Sequence, residues 1–334
     1  MAYPCKLTVF TPTYNRAYII ENLYRSLQKQ TCTDFEWLVV DDGSSDDTGA
    51  LFERWQQEDN PFPIRYHRQE NGGKCRAINT GLSLARGELF LNVDSDDFLT
   101  EDAVEKVLSW EANLPKDGTF CAVAGNLGTG REETPNPPLP GDYYDGNAFD
   151  RYGVVKGERA FAFYTAVHRQ YLYPDCPGEK FMTEAVTWNR MAKDGYKIRF
   201  YNDIIWIYEY KPDGLTQAGD RLFWENPQGT GIFFREKAKF LKQPFSNRVK
   251  MWYGFVTDTM HRCTNSQIAE YIDMPLWLVP LMKGDKDENF AYCCRNYRIC
   301  QGCPAGRQGD RTGAYHGRTA RGTSHPDAYC QGKV

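Results

Sequence analysis

The chain lacks any long hydrophobic run. Nowhere in its 334 residues is there a stretch of roughly 18–20 uninterrupted apolar residues, which a membrane-spanning helix requires. It also lacks a charged-then-apolar leader. Met1-Ala2-Tyr3-Pro4-Cys5-Lys6 runs almost directly into a strand-like segment, so a cytoplasmic compartment is expected. A large charge of one sign is missing too. The formal net charge is -4, so the whole molecule is no electrostatic trap for nucleic acid, and no nucleic-acid partner is expected. The first six cysteines, Cys5 to Cys263, are scattered without a pairing pattern, which suits buried reduced thiols. No internal repeat and no Gly-x-x-x-x-Gly-Lys-Ser/Thr spacing occur, which excludes a Walker A nucleotide loop.

What remains is an ordinary globular composition. Apolar residues make up 41 %, charged residues 25 %, and mean hydropathy is -0.63, enough apolar material for a real core. Strand-like runs at Lys6–Thr11, Phe35–Asp41, Ile64–His67 and Leu89–Val93 alternate with helical periodicity at Ile19–Gln30, Thr48–Gln57 and Cys75–Ala85. That alternation predicts an α/β fold with a parallel sheet covered on both faces. Further on, Glu132–Gly146 is proline-rich and predicts a loop. Ala160–Val167 and Lys197–Asn202 predict strands, while Met182–Lys193, Phe223–Leu241 and Asn247–Cys263 predict helices. From Phe290 onward there are one lysine, six arginines, five cysteines and few aliphatic residues, a composition expected to stay disordered.

Two of the strands end in acids: Asp41-Asp42-Gly43-Ser44-Ser45-Asp46-Asp47 and Asp94-Ser95-Asp96-Asp97. In a parallel sheet both strand ends lie on one edge, where ligands bind. Crowded carboxylates repel and raise each other's pKa. A divalent cation relieves that cost, and Mg²⁺ takes one or two carboxylates plus substrate phosphates. The competing explanation is turn and helix-cap chemistry, for which Asp and Ser are suited. Between the clusters, Gly72-Gly73-Lys74 leads into a helix. Its amides and Lys74 could face an anion, or form a plain turn. After the first strand, Tyr14 suits stacking on a base and Arg16 a phosphate or uracil oxygen; the alternative is a loop in which Asn15 caps the next helix.

Four segments in this order, Thr11-Pro12-Thr13-Tyr14-Asn15-Arg16, Val40–Thr48, Asn71-Gly72-Gly73-Lys74 and Asp94-Ser95-Asp96-Asp97, resemble the family-2 glycosyltransferases of bacterial polysaccharide biosynthesis. The resemblance is clear over residues 5–115 and weaker to about residue 285. It implies a GT-A type, Rossmann-like, mostly parallel sheet flanked by helices, with a helical C-terminal extension. The implied division is a catalytic domain over 1–220 (nucleotide-sugar half 1–115, acceptor half 116–220), a helical segment over 221–289 and a disordered tail over 290–334. The implied activity is transfer of a sugar from a nucleoside-diphosphate donor, a UDP-sugar, to an acceptor hydroxyl with inversion, assisted by Mn²⁺ or Mg²⁺. Pro12, Tyr14 and Asp42 would hold the base, with Arg16 assisting. Lys74 would lie along the donor, Asp96 at the ribose or the metal, Asp97 on the metal, and Asp94 beside the metal or donor sugar. Where many members read Glu-Asp, this chain reads Glu184-Ala185, and the resemblance implies Glu184 as general base.

The rivals differ in sequence. A nucleotidyltransferase would show a glycine-rich loop after the first strand, where this chain has Pro12-Thr13-Tyr14-Asn15-Arg16. A processive synthase would carry Gln-x-x-Arg-Trp and membrane spans, and neither is present. A non-catalytic nucleotide-sugar-binding descendant would be expected to lose the acids. The acceptor is expected to be a glycan or lipid-linked saccharide. Met274–Lys283, apolar but too short to span, offers peripheral contact at the inner face of the plasma membrane or simple packing on the domain. Cys293, Cys294, Cys300, Cys303 and Cys330 raise zinc binding through Cys300-x-x-Cys303, but the adjacent pair and the core-poor surroundings weigh against it.

Overall fold

A computed structural model of the chain describes residues 3–209, 219 and 221–283. The elements in chain order are β1 (Cys5–Thr13), α1 (Glu21–Gln28), β2 (Phe35–Asp41), α2 (Thr48–Trp55), β3 (Ile64–Arg68), α3 (Lys74–Leu84), β4 (Gly87–Asn92), β5 (Phe98–Leu99), α4 (Ala103–Ala112), β6 (Phe120–Gly128), β7 (Tyr143–Gly146), β8 (Arg159–Tyr164), α5 (Thr165–His168), α6 (Ala185–Lys193) and β9 (Lys197–Ile207). Helices α7 (Arg221–Glu225), α8 (Pro227–Phe240), α9 (Phe245–Thr259) and α10 (Asn265–Ile272) follow.

Side chains alternate across a strand, and here both faces are apolar. Leu7 and Val9 of β1 join Trp37, Val39 and Leu91 on one face, under Leu23 and Leu27 of α1, Phe52 and Trp55 of α2, and Val104 and Val107 of α4. Phe10 joins Leu38, Val40 and Phe90 on the other face. There they pack under Ile78 and Leu82 of α3, Val186 of α6, Phe233 of α8, Phe255 of α9 and Ile272 of α10. Each such side chain contributes about 1.5–3 kcal/mol on burial. The C-terminal helices therefore share one core with α3 and α6.

One sheet runs in the order β3-β2-β1-β4-β8-β6-β9-β5, with β7 on β9. Strands β3, β2, β1 and β4 are mutually parallel, as are β6 and β9. Strand β8 runs antiparallel to both β4 and β6. Pairing of Thr13 with Asp41 and of Phe10 with Asn92 brings the ends of β1, β2 and β4 to one edge. This is the α/β sheet with flanking helices and helical extension expected from the sequence.

Local differences have local causes. The proline-rich stretch ends in β7, because Tyr143 and Tyr144 pair with Tyr201 and Phe200 of β9. Strand β9 continues past Asn202 to Ile207, and Trp206 pairs with Leu99 of β5. Residues 274–283 form short 3-10 turns that bury Met274 and Val279 but leave Leu276, Trp277 and Leu281 exposed. The tail cysteines and the expected disorder of 290–334 lie outside the described residues.

Candidate active site

The loops that leave β1 and β2 are tied together by short polar side chains. Asn15 adopts left-handed backbone geometry (φ 54°), which Asn tolerates better than most residues. Its amide donates to Ser44 Oγ (2.8 Å) and its Oδ1 accepts from the Ser45 amide (2.8 Å). Asn15 thus braces the second loop and does not cap α1. Asp46 accepts from the Ala17 amide (2.9 Å) and from Thr48, and Asp41 accepts from the Ser44 amide (2.7 Å) and Tyr66. Asp41, Asp46 and Asp47 line a separate small hollow with Tyr66 and Arg68. Turn chemistry therefore accounts for most of the first acid cluster, and Asp42 alone of its acids lines the main cleft.

Asp42 is buried and answers for the paired glycines. Its carboxylate accepts from Gln69 Nε2 (2.8 Å), the Gly72 amide (2.9 Å) and the Gly73 amide (2.6 Å). The anion that the Gly72-Gly73 amides face is thus the chain's own. A carboxylate offers about four acceptor sites, so three internal bonds leave Asp42 room for one further donor. Gly73 sits at φ 91°, and a Cβ there would collide with the Lys180 carbonyl. Only glycine allows that approach, and it sets the loop before α6 against the start of α3.

That loop is clamped from its other side. Glu179 accepts from the Gln228 and Gly229 amides (2.7 and 2.9 Å) at the start of α8, where an anion meets free N–H groups. Asn226 Oδ1 accepts from the Lys180 and Phe181 amides (3.0 and 3.2 Å). Glu184, held at the head of α6, then meets Lys74 at the head of α3. Lys74 Nζ lies 2.7 Å from Asp94 Oδ1 and 2.8 Å from Glu184 Oε1. Protein surrounds Lys74 densely, yet 26 % of its side chain stays open along the cleft. Burial works against its charge, but Asp94 and Glu184 outweigh it and hold the ammonium well above lysine's usual pKa. Ala185 is fully buried in the core, so at the Glu-Ala pair only Glu184 offers the cleft a carboxylate.

Asp94, Ser95, Asp96 and Asp97 all line the same cleft, of about 960 Å³, together with Pro12, Tyr14, Arg16, Asp42, Lys74 and Glu184. The nine residues to which the resemblance assigned a donor, metal or base role, Pro12, Tyr14, Arg16, Asp42, Lys74, Asp94, Asp96, Asp97 and Glu184, therefore all line this cleft. Burial, then Asp94 and Asp96, pushes Asp97 up to about 8, although Trp206 Nε1 donates to its Oδ2 (2.8 Å). Burial and Asp94 also raise Asp96, while Arg16 opposes them. Among the described residues no group of three His, Cys, Asp or Glu side chains is set to hold a metal ion by itself. Two crowded carboxylates beside an open cleft do fit a cation that completes its shell with substrate oxygens.

Trp206, Arg159, Asn136 and Trp188 also line the cleft and were not anticipated. Trp206 left a faint signal, because an indole N–H inside an apolar strand needs a partner. The others depend on where β8, α6 and the proline-rich loop pack.

A family model described as Glycosyl transferase family 2 matches residues 8–172. The chain is 34 % identical over 238 residues to Glycosyltransferase GlyG of Streptococcus pneumoniae serotype 4, covering 65 % of this chain and 75 % of that protein. Among solved structures, S. aureus TarS 1-349 in complex with UDP-GlcNAc superposes with a TM-score of 0.53 at 18 % identity, over 88 % of this chain and 90 % of that one. Mannosyltransferase PcManGT from Pyrobaculum calidifontis, in complex with GDP-Man and Mn²⁺, superposes with a TM-score of 0.50 at 20 % identity, over 91 % and 78 %. At such identities the structural likeness is one of fold. Shared sequence over most of GlyG, the family match and the GT-A sheet together show that the chain belongs to glycosyltransferase family 2.

Proposed function

We propose that the chain transfers a sugar from a nucleoside-diphosphate donor, a UDP-sugar, to an acceptor hydroxyl with inversion, in building cell-surface polysaccharide. The observation that carries this reading is the single cleft in which Asp42 and Asp94–Asp97 stand on the strand edge and Glu184 stands at the head of α6, joined through Lys74. In this reading residues 1–115 hold the donor, 116–220 the acceptor, and 221–289 buttress both.

Pro12 and Tyr14 flank the base, and Asp42 accepts its N–H through its remaining acceptor site. Arg16 supplies positive charge beside the phosphates and Asp96. Asp97, aided by Asp96, is the metal ligand, and Asp94 steadies Lys74 and the donor sugar. When bound, Mn²⁺ or Mg²⁺ neutralises the negative charge that develops on the departing diphosphate. Glu184 takes the proton from the acceptor hydroxyl as that oxygen attacks the anomeric carbon. A base on the face opposite the leaving group supports one in-line displacement, hence inversion. The nucleotide sugars named in the TarS 1-349 and PcManGT complexes, and the Mn²⁺ of the latter, support the donor class and the metal by likeness of fold.

No helix among the described residues is long and apolar enough to cross a membrane. Leu276, Trp277 and Leu281, exposed within one short stretch, support peripheral contact with a lipid surface that carries the acceptor.

The deciding experiment is a screen of nucleotide-sugars for Mn²⁺-dependent thermal stabilisation, followed by donor hydrolysis with the best hit. A ligand of the native state raises the melting point with its occupancy. Stabilisation by a UDP-sugar and release of UDP are expected. Stabilisation without turnover in water or with any acceptor would favour a non-catalytic binder, and release of pyrophosphate from a nucleoside triphosphate would favour a nucleotidyltransferase.

A further inference from the structure

Strand β8 runs antiparallel to β4, with Leu91 opposite Ala162. Its first residue, Arg159, therefore stands at the edge where β4 gives way to Asp94–Asp97. It lies on the far side of β4 from β1 and β2, because the order is β2-β1-β4-β8. Arg159 is only 6 % exposed, yet it lines the cleft. Its Nη2 donates to the Lys156 carbonyl (3.2 Å), while Nε and Nη1 have no partner among the described residues. Burial lowers its pKa, to about 10.

A guanidinium stays charged in proteins. Burying one without a counter-charge or full hydrogen bonding is costly, so such a group calls for a partner beyond the described residues. The surroundings fit a saccharide. Phe161, two residues along β8 on the same face, packs against Trp188 with ring centroids 4.6 Å apart, and both line the cleft beside Arg159. Asn136 adds an Oδ1 without a partner among the described residues, while its Nδ2 is used on Asn126 and the Glu158 carbonyl. The Arg151 guanidinium lies over both rings, 5.8 Å from Phe161 and 4.5 Å from Trp188, so this end of the cleft gathers two cations and a polar acceptor, which suits a saccharide that bears an oxyanion.

We propose that Arg159 anchors an oxyanion subsite on the acceptor side of the cleft, which takes the carboxylate or phosphate of an acidic acceptor saccharide on its guanidinium. This rests on the glycosyltransferase reading and adds to it the charge of the acceptor. Charge-assisted bonds of this kind are roughly twice as strong as neutral ones.

The test titrates the full chain with glucuronate, inorganic phosphate and glucose, with and without UDP and Mn²⁺, by ligand-observed NMR. Glucuronate or phosphate is expected to bind at least about tenfold more tightly than glucose, and the tighter of the two identifies the anion. Arg159→Gln, its fold checked by melting point, should lose that preference, and Arg159→Lys should keep part of it. If neither anion outbinds glucose on the unaltered chain, the subsite does not exist, whatever becomes of the variants. Anion binding unchanged in a folded Arg159→Gln overturns it equally. A preference for UDP-glucuronate over UDP-glucose that Arg159→Gln removes would put the anion on the donor and overturn the acceptor placement. UDP binding by the unaltered chain reports on the donor reading separately, so the two ideas can fail independently.

Discussion

Glu184 Oε1 lies 2.8 Å from Lys74 Nζ, and the same ammonium lies 2.7 Å from Asp94. One cation thus joins the proposed base to Asp94, the first of the β4 strand-end acids. Glu184→Gln should keep the fold and donor affinity but lower transfer by about 10²–10⁴-fold. Calorimetry of UDP with Mn²⁺ and a transfer assay separate the two effects. Unchanged transfer would remove Glu184 from the chemistry.

Lys74→Met should cost more than Glu184→Gln, since it leaves two carboxylates facing each other without a cation. Both transfer and melting temperature should fall, because breaking a largely buried pair destabilises by up to about 3–5 kcal/mol, less here for the open part of the side chain. A variant as stable and as active as the parent would show that the pair is incidental.

For the metal, Asp97→Ala should abolish the Mn²⁺ dependence of UDP binding and reduce transfer at least about 100-fold. Chelation should do the same to the unaltered chain, and added Mn²⁺ should reverse it. Undiminished UDP–Mn²⁺ binding in Asp97→Ala would contradict the assignment.

Gly73→Ala tests the approach of the two loops. The new methyl would meet the Lys180 carbonyl at a backbone with φ 91°. A loss of at least about 2 kcal/mol is expected, with Glu184 displaced and transfer reduced. Equal stability in urea unfolding would mean that the loop shifts freely.

His168 carries the pH prediction. It is buried between Phe90 and Phe163, with no partner for either ring nitrogen among the described residues, and burial pushes it down to about 3. Unfolded, it titrates near its ordinary value, so below about pH 6.5 the unfolded state binds the extra proton. The neutral ring's contribution is therefore full above that pH and is lost as pH falls toward 3. From pH 8 to pH 5 the loss is about 2 kcal/mol. Asp97, raised by burial, Asp94 and Asp96, works in the opposite sense across its own window. The clean measurement is thus the stability of the parent relative to His168→Phe, which should fall by that amount on acidification. A pH-independent difference would mean that the ring is solvated or paired.

Much of residues 1–115 was legible because its signals are local. The run Phe35–Asp41 is β2 residue for residue, and the periodic helices appear within a few residues of their expected ends. Strand β6 was invisible, since buried strands such as Phe120–Gly128 show no alternation. Turn chemistry and ligand chemistry also use the same residues. Asp46 and Asp42 look equally acidic in sequence, yet one braces Ala17 and Thr48 while the other lines the cleft.

The amino-acid order alone determined the strand–helix alternation, the acids at two strand ends and the family, because periodicity and motif spacing are written along the chain. Tertiary structure alone decided that Lys74 bridges Asp94 and Glu184, that the Gly72-Gly73 amides bind Asp42, and that Arg159 is buried against the cleft with no partner for Nε and Nη1 among the described residues. Those facts depend on distances between segments far apart in sequence, and only packing of the sheet, α6 and α8 sets such distances.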